Sequence, residues 1–357
     1  MSSIFCFKIF FSKSKNASWD FLPDEAKKHI VEYLTPKEKA KLAITSKDNY
    51  DLVKSVPTYI RTLQFCPIRH NAQCAEIFVF FDEEHRNSQT FYFDKQGITS
   101  YMKSTKTENG IEAVGAKQEL KTEFREMADL CFQGWVTGAE VHTLDIRGDY
   151  RGKLPERLNN LINFSFNDKY NRSVSAIPAW LDVIQMGEIH FMLMSDHWDQ
   201  ILGHRHFSNP QTTCTLTGYD GVGHESLCQL NCKRIRLNNI KDEKSFNVLV
   251  KKWTTGEFAD TFETLIVTST TRPLSTERLL EEIKVQSLEA SQFEKSEIAI
   301  QTNDKGEYFL VFGPNGKYGV FCGVDDYARF SVINQQLVDE VPQLSNYHTR
   351  VWRPLEQ

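Results

Sequence analysis

Apolar side chains recur in two different rhythms along this chain, and the change of rhythm divides it. Residues 19–53, WDFLPDEAKKHIVEYLTPKEKAKLAITSKDNYDLV, keep helical spacing, with Ala26, Ile30 and Leu34 at i, i+4 and i+8. Leu22-Pro23 opens this helix, because proline at the first helical position has no N–H to lose and a φ already suited to the helix. Asp24 and Glu25 occupy the first turn, where the dipole favours negative charge. Thr35-Pro36-Lys37-Glu38 reads as a capping box starting a second helix. Ser46 is placed to cap a third, which carries Tyr50 and Val53. A helical piece of about 40 residues buries little core alone, so its apolar side chains face the rest of the chain or another protein.

Residues 54–73, with Pro57 and Pro67, read as a connector running into a strand-like stretch at 59–65. Short β-patterned segments follow at 76–81, 90–94 and 98–102, separated by polar turns such as Asp94-Lys95-Gln96-Gly97. A helix is expected over 118–135, with Leu120, Phe124, Met127, Cys131 and Trp135 near helical spacing. From there one pattern repeats: Val141-x-x-Leu144-x-Ile146, Leu161-x-x-Phe164-x-Phe166, Met186-x-x-Ile189-x-Phe191, Cys232-x-x-Ile235-x-Leu237 and Phe262-x-x-Leu265-x-Val267, with a weaker copy at 213–219. The separation, roughly 20 to 30 residues, is the period of leucine-rich repeats, in which each unit is one strand and one helix. Phe246, Leu249, Val250 and Trp253 mark an intervening helix. Trp135-Val-Thr-Gly138 and Trp253-Thr-Thr-Gly256 each precede a strand, the tryptophan packing helix on sheet and the glycine ending the helix. Antiparallel strands at 297–302, 307–312 and 319–324, turning at 303–306 and 314–316, would cap the open edge of the repeats.

Composition narrows the function classes. The chain has 357 residues, ordinary apolar and charged content, and a net charge of −5, which gives no electrostatic case for nucleic acid or an anionic membrane. The apolar run 4–11 is too short to span a bilayer and lacks the flanks of a signal peptide. Eight cysteines without framework spacing read as reduced thiols of the cytosol or nucleus, where the sequons at Asn16 and Asn171 carry no glycan. No Cys-x-x-Cys knuckle, phosphate loop or nucleophile elbow occurs. The best metal candidates are His197, His204 and His206, with His224, Cys228 and Cys232 at i, i+4, i+8 on one helical face. The bland alternative there is a polar histidine beside two buried thiols. Gly313-Pro-Asn-Gly316-Lys317 reads as a hairpin turn, and Asp325-Asp326 and 277–282 as solvated faces.

The order of features in 19–53 resembles the F-box: a Leu-Pro start, an aliphatic residue in the following helix, a tight second helix with Leu42 and Ile44, and an aromatic, Tyr50, in the third. The resemblance implies docking on the Skp-type adaptor of a cullin–RING ubiquitin ligase through Leu22, Pro23, Ile30, Leu34, Leu42, Ile44 and Tyr50. The alternative is an N-terminal helical cap on the following domain. Residues 232–266 are similar to the F-box-associated domain (type 2-like) of nematode F-box families, on Leu237-Asn238, Lys252-Trp253, Gly256 and Leu265.

The expected architecture is α+β or α/β. It divides into a tail at 1–17, a three-helix F-box at 18–58, a connector at 59–75, an irregular leucine-rich-repeat-like strand–helix domain with antiparallel hairpins at its ends over 76–335, and a tail at 336–357. The expected function is a non-catalytic substrate receptor of a Skp–cullin–F-box ligase, cytoplasmic or nuclear, without cofactor, metal, nucleic acid or membrane partner, its protein substrate unknown. A non-ligase interaction scaffold and a cryptic metal-dependent enzyme are the alternatives.

Overall fold

The computed structural model describes residues 19, 22–34, 36–56, 58–66, 74–83, 88–95, 97–103, 112–113, 123–148, 150–158, 160–167, 176–194, 198–217, 224–288, 306–333 and 349–351. The run 4–11, Asn16, Thr35, Asn171, His197 and the expected strand at 297–302 lie outside them. Helix α1 (Asp24–Glu32) starts after Pro23, which stands at the N-cap, one position earlier than the sequence reading put it. Its φ of −56° suits the helix and its ψ of 150° does not, while its carbonyl accepts the Lys27 N–H at 3.0 Å. Val31 is the residue of α1 that is fully buried; Ala26, Ile30 and Leu34 beside it are half-buried. Helices α2 (Pro36–Ala43) and α3 (Lys47–Ser55) follow, the latter capped by the Ser46 hydroxyl, which accepts the Asn49 N–H at 3.1 Å.

Among the described residues, sixteen strands then form one sheet. They are β1 (Thr58–Cys66), β2 (Cys74–Phe80), β3 (Ser88–Asp94), β4 (Gly97–Lys103), β5 (Glu112–Ala113), β6 (Ala139–Ile146), β7 (Asn163–Asn167), β8 (His190–Met194), β9 (Thr213–Thr217), β10 (Arg234–Asn238), β11 (Thr264–Thr268), β12 (Lys284–Leu288), β13 (Glu307–Phe312), β14 (Tyr318–Val324), β15 (Tyr327–Ile333) and β16 (Thr349–Val351). The middle of the sheet, β1-β6-β7-β8-β9-β10-β11, is parallel throughout. From β6 to β11 the strands lie side by side in chain order. Right-handed crossovers between such neighbours put every connection on the same face. The crossover helices are α4 (Phe124–Gly138), ahead of β6, then α5 (Ala176–Val183), α6 (Trp198–Leu202), α7 (His224–Cys228) and α8 (Lys244–Thr254).

Burial shows the consequence: one face covered, one open. In β10, Ile235 and Leu237 are buried while Arg234 and Arg236 are exposed. Two buried rows cross the strands in register, Leu63–Leu144–Phe164–Phe191–Cys214–Ile235–Leu265 and Phe65–Ile146–Phe166–Leu193–Leu216–Leu237–Val267. Aromatic rings link successive units beneath them. Phe65 stacks on Phe132 at 4.5 Å, Phe132 meets Tyr150 edge-on at 5.1 Å, and Trp180 lies 5.5 Å from Tyr150 and 6.3 Å from Phe164.

Antiparallel strands finish both ends: β2 to β5 beyond β1, and β15-β14-β13-β12-β16 beyond β11. Four readings need correction. The expected connector at 59–75 contains β1, which lies between β2 and β6 inside the sheet, so the chain enters the sheet at residue 58. The copy read at Met186-x-x-Ile189-x-Phe191 is displaced by two residues: Phe191 and Leu193 fill the two buried rows and Met186 is exposed. The strand β15 was not anticipated: Asp325-Asp326, exposed as expected, form the turn leading into it from β14, with Asp325 at φ 39°. The helix expected at 118–135 runs from Phe124 to Gly138, and Gly138 is its last residue rather than a stop beyond it.

Candidate functional site

The helical module is held by a small polar network. Trp19 Nε1–H donates to Asn49 Oδ1 at 2.8 Å, Asn49 Nδ2 donates to Thr45 Oγ1 at 2.8 Å, and Thr45 Oγ1–H donates to the Leu42 carbonyl at 2.6 Å. This ties residue 19 and the end of α2 to the start of α3. Lys39 of α2 is buried, and that burial lowers its pKa against the opposing effect of Glu32. Of the residues expected at a docking face, Leu22, Ile30, Leu34 and Leu42 are half-buried and Pro23 is exposed. Ile44, in the turn between α2 and α3, is 86% exposed, and Tyr50 on α3 is 53% exposed. Tyr33, which sequence reasoning passed over, is 66% exposed, its edge on the His29 ring at 5.1 Å. Tyr33, Ile44 and Tyr50 are thus three large apolar side chains exposed on this module among the described residues.

A second surface is the open face of the parallel sheet. Its side chains bridge neighbouring strands: Gln64 Nε2 donates to Asp145 Oδ2 at 2.8 Å, Asn163 Nδ2 to Thr143 Oγ1 at 3.2 Å, and Asn238 Nδ2 to Thr217 Oγ1 at 3.1 Å. His190 Nε2 lies 3.0 Å from Thr215 Oγ1, and burial lowers its pKa. Near β6, Arg147 is matched by Asp145 at 2.9 Å. On β10 and β15 stand Arg234, Arg236 and Arg329; Arg234 is paired with Glu263 at 2.7 Å.

Among the described residues no three histidines, cysteines or carboxylates are grouped to hold an ion, His197 lying outside them. His206 is completely buried, and its Nε2–H donates to the carbonyls of Leu181 at 3.1 Å and Ile184 at 3.2 Å. It therefore satisfies the C-terminal end of α5. Burial, with His204 stacked at 5.2 Å, holds its pKa down at about 4. His204 reaches Asp182 at 3.2 Å. The expected helical face of His224, Cys228 and Cys232 is a correction, since α7 ends at Cys228. Cys232 lies beyond it, buried against Cys214, its thiol donating to the Phe207 carbonyl at 3.4 Å.

The residues Leu237-Asn238, Lys252-Trp253, Gly256 and Leu265 have defined roles in the fold. Leu237 and Leu265 belong to the buried rows, and Asn238 bridges strands on the open face. Lys252 donates to the carbonyls of Cys228 and Leu230, capping the end of α7 from the next unit, and lies 4.7 Å over the Phe258 ring. Trp253 is buried. Gly256 takes φ +81°, and its N–H bonds Trp253 O at 3.0 Å, the left-handed helix stop that glycine adopts without strain.

Residues 19–61 match the family model of the F-box domain. The chain thus carries an F-box domain near its N-terminus, followed by a domain of mixed strands and helices. The match ends at Arg61, inside β1. No curated protein and no solved structure matches the chain. No helix among the described residues is long and apolar enough to cross a membrane.

Proposed function

We propose that this chain is the substrate-recognition subunit of a Skp–cullin–F-box type ubiquitin ligase. The carrying observation is the F-box domain at 19–61, on which Tyr33, Ile44 and Tyr50 are exposed. An adaptor would cover these together with Leu22, Pro23, Ile30, Leu34 and Leu42, burying apolar surface that the isolated chain leaves wet. The larger domain holds the target. Its parallel strands, set in chain order with helices on one face, read as an irregular leucine-rich-repeat-like sheet, and the roles of Leu237, Lys252, Trp253 and Gly256 accord with a nematode-type F-box-associated domain. The open face is the target surface, because helices occupy the other. The chain's own role is non-catalytic, in cytoplasm or nucleus, with the cullin reached through the adaptor. Co-expression with a Skp-type adaptor tests the reading: a stable complex is expected, and a chain that never co-purifies with one is a scaffold of another kind.

A further inference from the structure

At the N-terminal rim of the parallel sheet, strand register brings five side chains to one side. Tyr59 of β1 pairs with Glu140 of β6, and Arg61 faces His142 between the pairs Ile60–Val141 and Thr62–Thr143. Ile162, just ahead of β7, continues this ladder, its N–H donating to the His142 carbonyl at 2.9 Å. Farther along the strands the same side is the helix-covered one, where Leu63, Leu144 and Phe164 are buried. At the rim it opens. Tyr59 is 51% exposed and Ile162 47%, and Glu140, on the strand between them, is exposed too. Arg61 is paired with Glu83 at 2.7 Å; burial and then this arginine lower the pKa of His142 against the effect of Glu83. Two large apolar side chains are thus bordered by an ion pair and a carboxylate, the arrangement of apolar centre and polar border found in protein interfaces.

Continuity with the F-box says what covers this rim. Tyr59 and Arg61 lie inside the family match at 19–61. Helix α3 ends at Ser55, with Val56 as its C-cap. At about 1.5 Å per helical residue, Tyr50 to Val56 spans about 9 Å. Three further residues reach Tyr59 in at most about 11 Å. Tyr50 and Tyr59 are therefore within about 20 Å of each other. A standard interface takes about 800 Å² from each partner, a patch roughly 28 Å across. A partner seated on Ile44 and Tyr50 is large enough to meet the rim as well.

We propose that the adaptor's footprint continues past the F-box helices onto this rim, an apolar adaptor side chain seating against Tyr59 and Ile162. This rests on the reading of 19–61 as an adaptor-docking module and extends that contact to the first strands of the sheet domain. Tyrosine is suited to such a place, since its ring supplies contact area while its hydroxyl stays wet. The added contact ties the sheet to the adaptor at a second point, so that the target is held at one orientation toward the ligase.

The test titrates a purified Skp-type adaptor into the full chain and into Tyr59→Thr with Ile162→Thr, a pair that keeps strand preference while removing the apolar surface. The double variant should bind about tenfold or more weakly at an unchanged melting temperature. Met192→Ala, exposed on the open face away from the rim, should bind as the parent does. Equal weakening by Met192→Ala would overturn the inference. Ile44→Ala with Tyr50→Ala, measured alongside, separates the two levels. If that pair weakens binding and the rim pair does not, the rim contact is wrong and the docking module stands; if neither weakens it, both fall. Should the rim pair melt lower, a photo-cross-linker placed at residue 162 decides. Capture of the purified adaptor is expected there, and capture of a second copy of the chain, or of nothing, would overturn the rim contact.

Discussion

The indole of Trp253 stands edge-on to the Phe330 ring, centroids 4.8 Å apart and planes at 64°. Trp253 belongs to α8, and Phe330 to β15, the first strand of the C-terminal antiparallel end. A Cβ at position 313 would fall within the envelope of the same indole, so the β13–β14 hairpin passes it at a glycine. One side chain therefore joins the last parallel unit to its cap.

Trp253→Ala should cost about 3–5 kcal/mol, the range for removing a large buried aromatic. Gly313→Ala should also destabilise by crowding the ring, and the two changes should be non-additive because they share one contact. Trp135→Ala should cost less, since that ring is only half-buried, 6.1 Å from Phe91. Thermal unfolding checks all three.

The strand at 58–66 lies within the connector expected at 59–75 and gives a sharp truncation test. Removing it takes Ile60, Leu63 and Phe65 from the core and bares the edge of β6. A fragment starting at residue 57 should be soluble and melt cooperatively, whereas one starting at residue 70 should aggregate. Equal behaviour of the two fragments would contradict the topology.

The parts legible in the sequence were those with local punctuation. Pro23, Ser46 and Gly256 mark helix ends by chemistry that works within a few residues. Five of the six expected repeat strands sit where the apolar alternation put them. The sixth slipped because Met186 imitates the leading residue of the repeat, and only pairing with β7 and β9 shows that Phe191 and Leu193 are the buried pair. β15 escaped because its turn is Asp325-Asp326, with no glycine to signal a hairpin. Val31, buried, and Tyr33, exposed, were both passed over, since which apolar residues of a helix are covered depends on its neighbours and not on the helix alone.

His206 gives a pH signature. Its folded pKa, about 4, lies below the ordinary 6.5, because a proton on buried Nδ1 would place a charge where burial leaves that atom no partner. The unfolded chain then binds more protons, so stability is fully present above about pH 6.5 and is lost as pH falls toward 4. The loss should be on the order of 2–3 kcal/mol. His206→Gln, even if less stable overall, should show a flatter fall in melting temperature between pH 7 and 4.5. An identical slope in both proteins would remove His206 as the cause.

The docking claim meets its most direct test at Ile44 and Tyr50, which are exposed in the chain itself and contribute little to its fold. The affinity of the chain for a purified Skp-type adaptor is measured by titration calorimetry, for the natural sequence and for Ile44→Ala with Tyr50→Ala. Each side chain should contribute about 1–3 kcal/mol as an interface anchor, so the double variant should bind at least tenfold more weakly. Its melting temperature should match the parent. Unchanged adaptor affinity in the double variant would contradict docking through this face.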